Sequence, residues 1–210
     1  MNKMTSPYLS LTGCSFLYYE FRRILPLLMA PDSDRLLKEE VEHNHVMQVN
    51  TLSARKRFIS EFKRRFRSVP RTFWETWEKM GENGQRVGLF YVLLKTYKLI
   101  FDFHFDVTVR KWNSVDRHLN RIDLIMEMNE IAAKDENVGS WSDKTKDRCI
   151  SHYITILRQT GLIEGKDNQL VPVKISASDS SYYFRTGETW FLEACLLYPY
   201  EIENLKSQQQ

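Results

Sequence analysis

Between residues 83 and 101 the chain places apolar side chains around nearly the whole circumference of a helix. Val87, Leu89, Phe90, Val92, Leu93, Leu94, Leu99, Ile100 and Phe101 leave no continuous polar stripe at about 100° per residue. A helix without a polar face has to be wrapped by other elements. This segment therefore predicts a mainly α fold, a helical bundle around one buried helix. Gly and Pro are few, 8 and 6 residues, which also disfavours a turn-rich sandwich. The longest apolar runs are 24–30, broken by Pro26, and 87–94, broken by Gly88. Both fall short of the ~20 residues needed to span a bilayer. The opening MNKMTSPYLSLTG has no secretory pattern. The expectation is a soluble cytoplasmic protein that makes no membrane contact.

The wrapping elements follow from periodicity. Residues 15–30 predict a helix bent at Pro26, with Gly13 at the preceding turn. Residues 32–43 predict a charged helix capped by Asp32 or Ser33, whose Glu39, Glu40 and Glu42 read as surface. Residues 71–80 form a short helix carrying Trp74 and Trp77, closed by 81–84. Residues 103–112 continue the aromatic run. Residues 114–135 are amphipathic, with Leu119, Ile122, Ile125, Met126 and Ile131 inward, and 135–140 read as a loop. Ser142 caps a helix over 143–160, with Ile150, Tyr153, Ile154 and Leu157 inside and Gly161 at its end. A small β-hairpin is expected at 162–175, turning at 165–168. A polar linker (176–181), one or two helices (182–205) and a frayed tail (207–210) complete the chain. The natural division is an N-terminal helical subdomain, 1–115, and a C-terminal one, 116–210, sharing a core.

Charge is distributed unevenly. Residues 51–71, TLSARKRFISEFKRRFRSVPR, hold eight Lys or Arg against Glu61, a local net charge of +7 in a chain of +3. Everything else therefore sums to −4. On a helix, Leu52, Phe58, Ile59, Phe62 and Phe66 share one arc, and Lys56, Arg57, Lys63, Arg64 and Arg67 the facing arc. Arg65 lies off the basic face, and Arg55 points toward the apolar side. Asn50 or Ser53 is the expected cap, and Pro70 disfavours continuation past Val69. Such a stripe, with Arg71 just beyond it, suits a polyanion; the plainer alternative is a solvated charged face.

A second basic set comprises Lys144, Arg148 and Arg158 on the 143–160 helix, with Lys166 and Lys174 on the hairpin. A helix followed by a hairpin is how a winged helix-turn-helix ends; a purely structural hairpin has the same pattern.

No catalytic constellation is present: there is no phosphate loop, dinucleotide fingerprint, nucleophile elbow or HExxH. Cys14, Cys149 and Cys195 form no CxxC pair or disulfide framework. His43 and His45, two apart on a helix, diverge, so neither metal nor cofactor is expected. Asp102 and Asp106 read as surface positions, and the tryptophans with Phe101, His104 and Phe105 as core.

Four segments in order resemble the BrxA family of BREX phage-resistance systems. LTGCSFLYYEFRRI is similar to its leucine-threonine-glycine start and apolar helix. VNTLSARKRFISEFKRRF resembles its basic helix, KTYKLIFDFHFDVTVRKW its aromatic run, and WSDKTKDRCISHYITILRQTGLIE its tryptophan-serine helix and turn. Cys14 stands where that pattern has a small residue, and the match weakens after Ser176. The resemblance implies a NusB-like helical protein that binds double-stranded DNA without catalysis, within a defence system. A methyltransferase, an alkaline-phosphatase-like protein and large ATPases would act beside it. Phosphate contacts then fall to Lys56, Arg57, Lys63, Arg64, Arg67 and Arg71, and secondarily to Lys144, Arg148, Arg158, Lys166 and Lys174. A protein–protein adaptor, or NusB-like RNA binding, is the alternative.

Overall fold

The computed structural model describes residues 6–12 and 16–209. The expectations on Gly13, Cys14, Ser15 and Gln210 lie outside the described residues. The helices are α1 (Tyr18–Met29), α2 (Ser33–His43), α3 (Leu52–Arg67), α4 (Arg71–Trp77), α5 (Glu82–Thr96) and α6 (Lys98–Asp102). A π-helical segment, Phe103–Val109, leads into α7 (Arg110–Trp112). Then come α8 (Arg121–Lys134), α9 (Glu136–Gly139) and α10 (Asp143–Thr160). Strands β1 (Ile163–Glu164) and β2 (Gln169–Leu170) precede α11 (Ala177–Arg185), α12 (Trp190–Ala194) and α13 (Pro199–Ser207). The fold is mainly α with a small hairpin, as the sequence predicts.

Helix α5 is the buried centre. All residues from Val87 to Leu94 are buried, and α3, α4 and α10 pack on it. Gly88 permits this closeness: a Cβ there would meet Trp77 Cδ1 at 2.7 Å. The apolar run is two helices rather than one, because Tyr97 is extended (φ −123°, ψ 109°). Just before it, the Thr96 hydroxyl donates to the Val92 carbonyl at 2.6 Å, a back-bond that competes with the helical ladder. Gly81 caps α5, so Gly84 is helical rather than part of a closing turn. Helix α1 runs through Pro26. One apolar cluster extends from Leu11 to Leu196.

Several expected faces are displaced. In α8 the buried seam is Leu124, Met128 and Ile131, whereas Ile122 and Met126 are 57% and 61% exposed. Helix α8 begins only at Arg121, and its 124/128/131 row meets the core with Ile125 half-buried at its edge, while Ile122 and Met126 face away. Residues 136–139 are a short helix, with the Asp135 carboxylate accepting from Val138 N–H. Residues 177–181 belong to α11, capped by Ser176. Phe101 is 40% exposed.

Two acids read as surface are buried. Glu40 accepts from the backbone N–H groups of His45, Val46 and Met47 at 2.7–3.1 Å, so the loop entering α3 is folded around its carboxylate. Asp102 accepts from Tyr8 Oη at 2.7 Å and pairs with Lys98 at 2.8 Å.

Candidate nucleic-acid interface

Helix α3 starts where Thr51, in extended backbone, accepts from Ala54 N–H at 3.2 Å. The cap is thus Thr51, not Asn50 or Ser53. Ile59 and Phe62 are buried and Phe58 and Phe66 half-buried; Phe62 meets Phe21 edge-on at 5.3 Å and Phe66 stacks on Trp74. Leu52 is 46% exposed, since the first turn lies beyond this apolar contact.

The eight cations of the stripe divide into two populations. Arg55 turns inward and donates to the Val41 and Val49 carbonyls at 2.7 and 3.0 Å. Arg65 is fully buried, donates to the Phe16 carbonyl at 2.8 Å and reaches Glu61 and Tyr97 Oη. Arg71, though exposed, donates to the Met29 carbonyl at the end of α1 and pairs with Glu75. These three brace the fold. Lys56, Arg57, Arg64 and Arg67 are exposed, with Lys63 half-exposed. Lys63 pairs with Asp34 at 2.6 Å and Arg64 with Glu61 at 3.0 Å. The Lys63 ammonium holds the Asp34 carboxyl below its ordinary range. Among the described residues, no carboxylate lies within ion-pair distance of Lys56, Arg57 or Arg67.

The outer face of α3 borders two concavities. One, about 290 Å³, is lined by Ser10, Leu11, Thr12, Arg57, Ser60, Glu61, Arg64 and Tyr97. The other, about 430 Å³, lies between α3 and the end of α5; Ser60, Lys63, Arg64, Arg67, Ser68, Lys95 and Thr96 line it. Sequence reasoning passed over Lys95. Its signal was a lone cation at the end of the apolar run 87–94.

The second basic set sits on α10, which Ser142 caps by accepting from Thr145 N–H and Gly161 ends in the left-handed region (φ 86°). Cys149 and Ile156 join Ile150, Tyr153 and Leu157 inside, while Ile154 is only half-buried. Lys144 and Arg148 are exposed, but Asp143 and Asp147 share that end of the helix. Arg158 donates to the Gly165 carbonyl at 2.9 Å and to Asn168, so it braces the hairpin. Lys166 and Lys174 are exposed. The hairpin is short, and the segment 117–119 covers it: Leu170 N–H donates to the Arg117 carbonyl and Leu119 N–H to the Asn168 carbonyl.

The chain ties the two basic helices together at Leu11. Its N–H points to Cys149 Sγ at 3.3 Å and its carbonyl accepts from His152 Nδ1 at 2.6 Å. The same residue lines the concavity beside Arg57 and Arg64. The α3 face and the middle of α10 therefore flank one strip, residues 10–12.

The inner side of α10 holds a fully buried polar chain. His104 Nε2 lies 2.8 Å from the Ala194 carbonyl, so that nitrogen carries the proton and donates. Nδ1 then accepts from Tyr153 Oη at 3.0 Å, and Tyr153 accepts from Thr108 Oγ1 at 2.7 Å. Burial lowers the His104 pKa to about 4, so the ring is neutral and occupied in packing. Among the described residues, no group of three His, Cys, Asp or Glu is placed to hold a metal ion. No helix among them is long and apolar enough to cross a membrane.

The BrxA family model matches residues 8–183. The fold is similar to the crystal structure of an uncharacterized protein from Magnetospirillum magneticum, with a TM-score of 0.76 and 22% identity over 90% of this chain and 98% of that one. At that identity the likeness is one of fold. No curated protein matches the chain.

Proposed function

The chain belongs to the BrxA family, and from that premise we propose that it is a non-catalytic duplex-DNA-binding component of a BREX phage-resistance system, acting in the cytoplasm. One observation carries the reading: the outer face of α3 presents Lys56, Arg57 and Arg67 to solvent without a described carboxylate in ion-pair distance. Lys63 and Arg64 stand beside them in partly exposed pairs, which contribute little and are readily exchanged. Contacts of this kind fix a protein on a backbone without reading its sequence. Residues 10–12 join this face to α10, where Lys144 and Arg148 extend the surface, with Lys166 and Lys174 on and after the hairpin. Arg71 and Arg158, exposed but engaged with carbonyls, stand second to these in the contact set.

The test is binding to a labelled random duplex across a salt series. The comparison is with a variant carrying Lys56, Arg57, Lys63, Arg64 and Arg67 all as Gln, its fold checked by circular dichroism. If about five phosphates are neutralised, log K falls against log salt with a slope of about −4 to −5, and the variant loses that slope. Equal binding by both proteins would transfer the role to α10. Absence of binding by either would reject DNA binding for the isolated protein.

A second reading, an adaptor docking on another component such as the methyltransferase, the phosphatase-like protein or an ATPase, draws on Ile122 and Met126. These are large apolar side chains one turn apart on the exposed side of α8. Loss of complex formation in Ile122→Ser/Met126→Ser, with duplex binding intact, would select it.

A further inference from the structure

We propose that the cleft between α3 and the C-terminal end of α5 is a seat for a single backbone phosphate, with Lys95 as a ligand outside the basic stripe. The proposal rests on the duplex-binding reading of α3 and adds to it a discrete place and a second helix.

The cleft encloses about 430 Å³, and the side chains that line it are Lys63, Arg64, Arg67, Lys95 and the hydroxyl residues Ser60, Ser68 and Thr96. No carboxylate is among them. A phosphate needs donors converging from more than one side, and a single convex helix face offers only one. Here α3 supplies three cations and α5 the fourth. The two walls meet where Thr96 Oγ1 and Ser68 Oγ lie 2.9 Å apart. Buried behind them, Arg65 is held by the Phe16 carbonyl, Tyr97 and Glu61 and takes no part in lining the cleft.

Acids on the rim of the cleft already pair with three of its cations and compete with an incoming anion for them. Lys63 pairs with Asp34, Arg64 with Glu61 and Lys95 with Glu188 at 2.6–3.0 Å. Asp34 is 88% exposed, and the Lys95–Glu188 pair is 35% and 23% exposed. A phosphate entering the cleft displaces the exposed Asp34 from Lys63 and engages Arg67, which has no carboxylate in ion-pair distance among the described residues. Arg and Lys form charge-assisted bonds to phosphate and carboxylate alike, so a phosphate here competes with the rim acids for the same donors. Freeing one cation therefore strengthens binding, an outcome that a purely structural Lys95–Glu188 pair does not produce.

The experiment has two arms. In the first, 15N-labelled protein is titrated with inorganic phosphate against chloride at matched ionic strength. Saturable shifts are expected at the Ser60, Lys95 and Thr96 amides, and are expected to disappear in Lys95→Gln. In the second, duplex affinity is measured for Lys95→Gln, Glu188→Gln and, as a control expected to leave it unchanged, Lys206→Gln, exposed on α13. Lys95→Gln is expected to weaken binding about five- to tenfold and to reduce the salt slope by about one unit. Glu188→Gln is expected to tighten it a few-fold. A duplex that binds Lys95→Gln as well as wild type overturns the seat while leaving the α3 reading standing. Saturable phosphate binding without duplex binding keeps the seat and overturns the reading it rests on. Shifts without saturation, or spread over all lysines, overturn the seat.

Discussion

Helices α3 and α10 both pack against α5, and both carry basic residues outside and one large polar side chain inside. They solve the inner problem in opposite ways. Helix α3 buries a cation, Arg65, and compensates it with the Phe16 carbonyl and Glu61. Helix α10 buries the neutral Tyr153, which accepts from Thr108 and donates to His104, itself bonded to the Ala194 carbonyl. Outside, the contrast reverses. The α3 face keeps Lys56, Arg57 and Arg67 with no carboxylate in ion-pair distance among the described residues, whereas α10 mixes Lys144 and Arg148 with Asp143 and Asp147. The lesson is that a count of basic residues says little until each one's partner is known.

The comparison breaks most visibly at Arg65. Removing one partner of a buried charged set costs about 3–5 kcal/mol, so Arg65→Ala is expected to lower stability by that amount in urea unfolding. Arg67→Gln, two positions away and exposed, is expected to stay within about 0.5 kcal/mol yet weaken duplex binding. Equal stability of the two variants would remove the division between bracing and free cations.

On the α10 side the sensitive variable is acid. The His104 pKa is about 4 in the fold against an ordinary 6.5. Below pH 6.5 the unfolded chain takes up a proton that the fold refuses. Stability is therefore complete above 6.5 and falls as pH drops toward 4, by on the order of 3 kcal/mol. His104→Gln, less stable at neutral pH, is expected to lack that part of the decline. Parallel pH profiles for the two proteins would place the acid sensitivity elsewhere.

The outer faces separate by salt. Each phosphate contact contributes about 0.9 to the slope. The five-site Gln variant of α3 is thus expected to lose about four units, and Lys144→Gln/Arg148→Gln, beside Asp143 and Asp147, less than about one. Losses of the same size per site would make the faces equal partners, whereas no loss from the α10 pair would confine the duplex to α3. The smallest effect is at the caps. Thr51→Ala and Ser142→Ala are each expected to lower stability by about 1 kcal/mol, and a glycine at either site by only a few tenths.

Local physics made much of this legible in the sequence. The apolar circumference of 87–94, the Ser142 cap and the Gly161 stop all depend on residues close in the chain, and each holds. The inward turn of Arg55 and the displaced position of Arg65 were also visible as departures from the helical arcs. What each arginine reaches was not, because the Phe16 carbonyl lies 49 residues away. The exposure of Ile122 and Met126 was hidden for the same reason: periodicity gives an apolar row, and only neighbouring elements decide which row is covered. The covering of the hairpin by residues 117–119 and the place of Lys95 in a cleft are likewise long-range facts.

The clasp at Leu11 has a consequence in time. It joins the start of the chain to Cys149 and His152, 138 and 141 residues later. During vectorial synthesis, α3 leaves the ribosome long before α10 exists, and for that interval the basic helix is present without the strip beside it. The surface flanked by both helices comes into being only once residues 149–152 have followed.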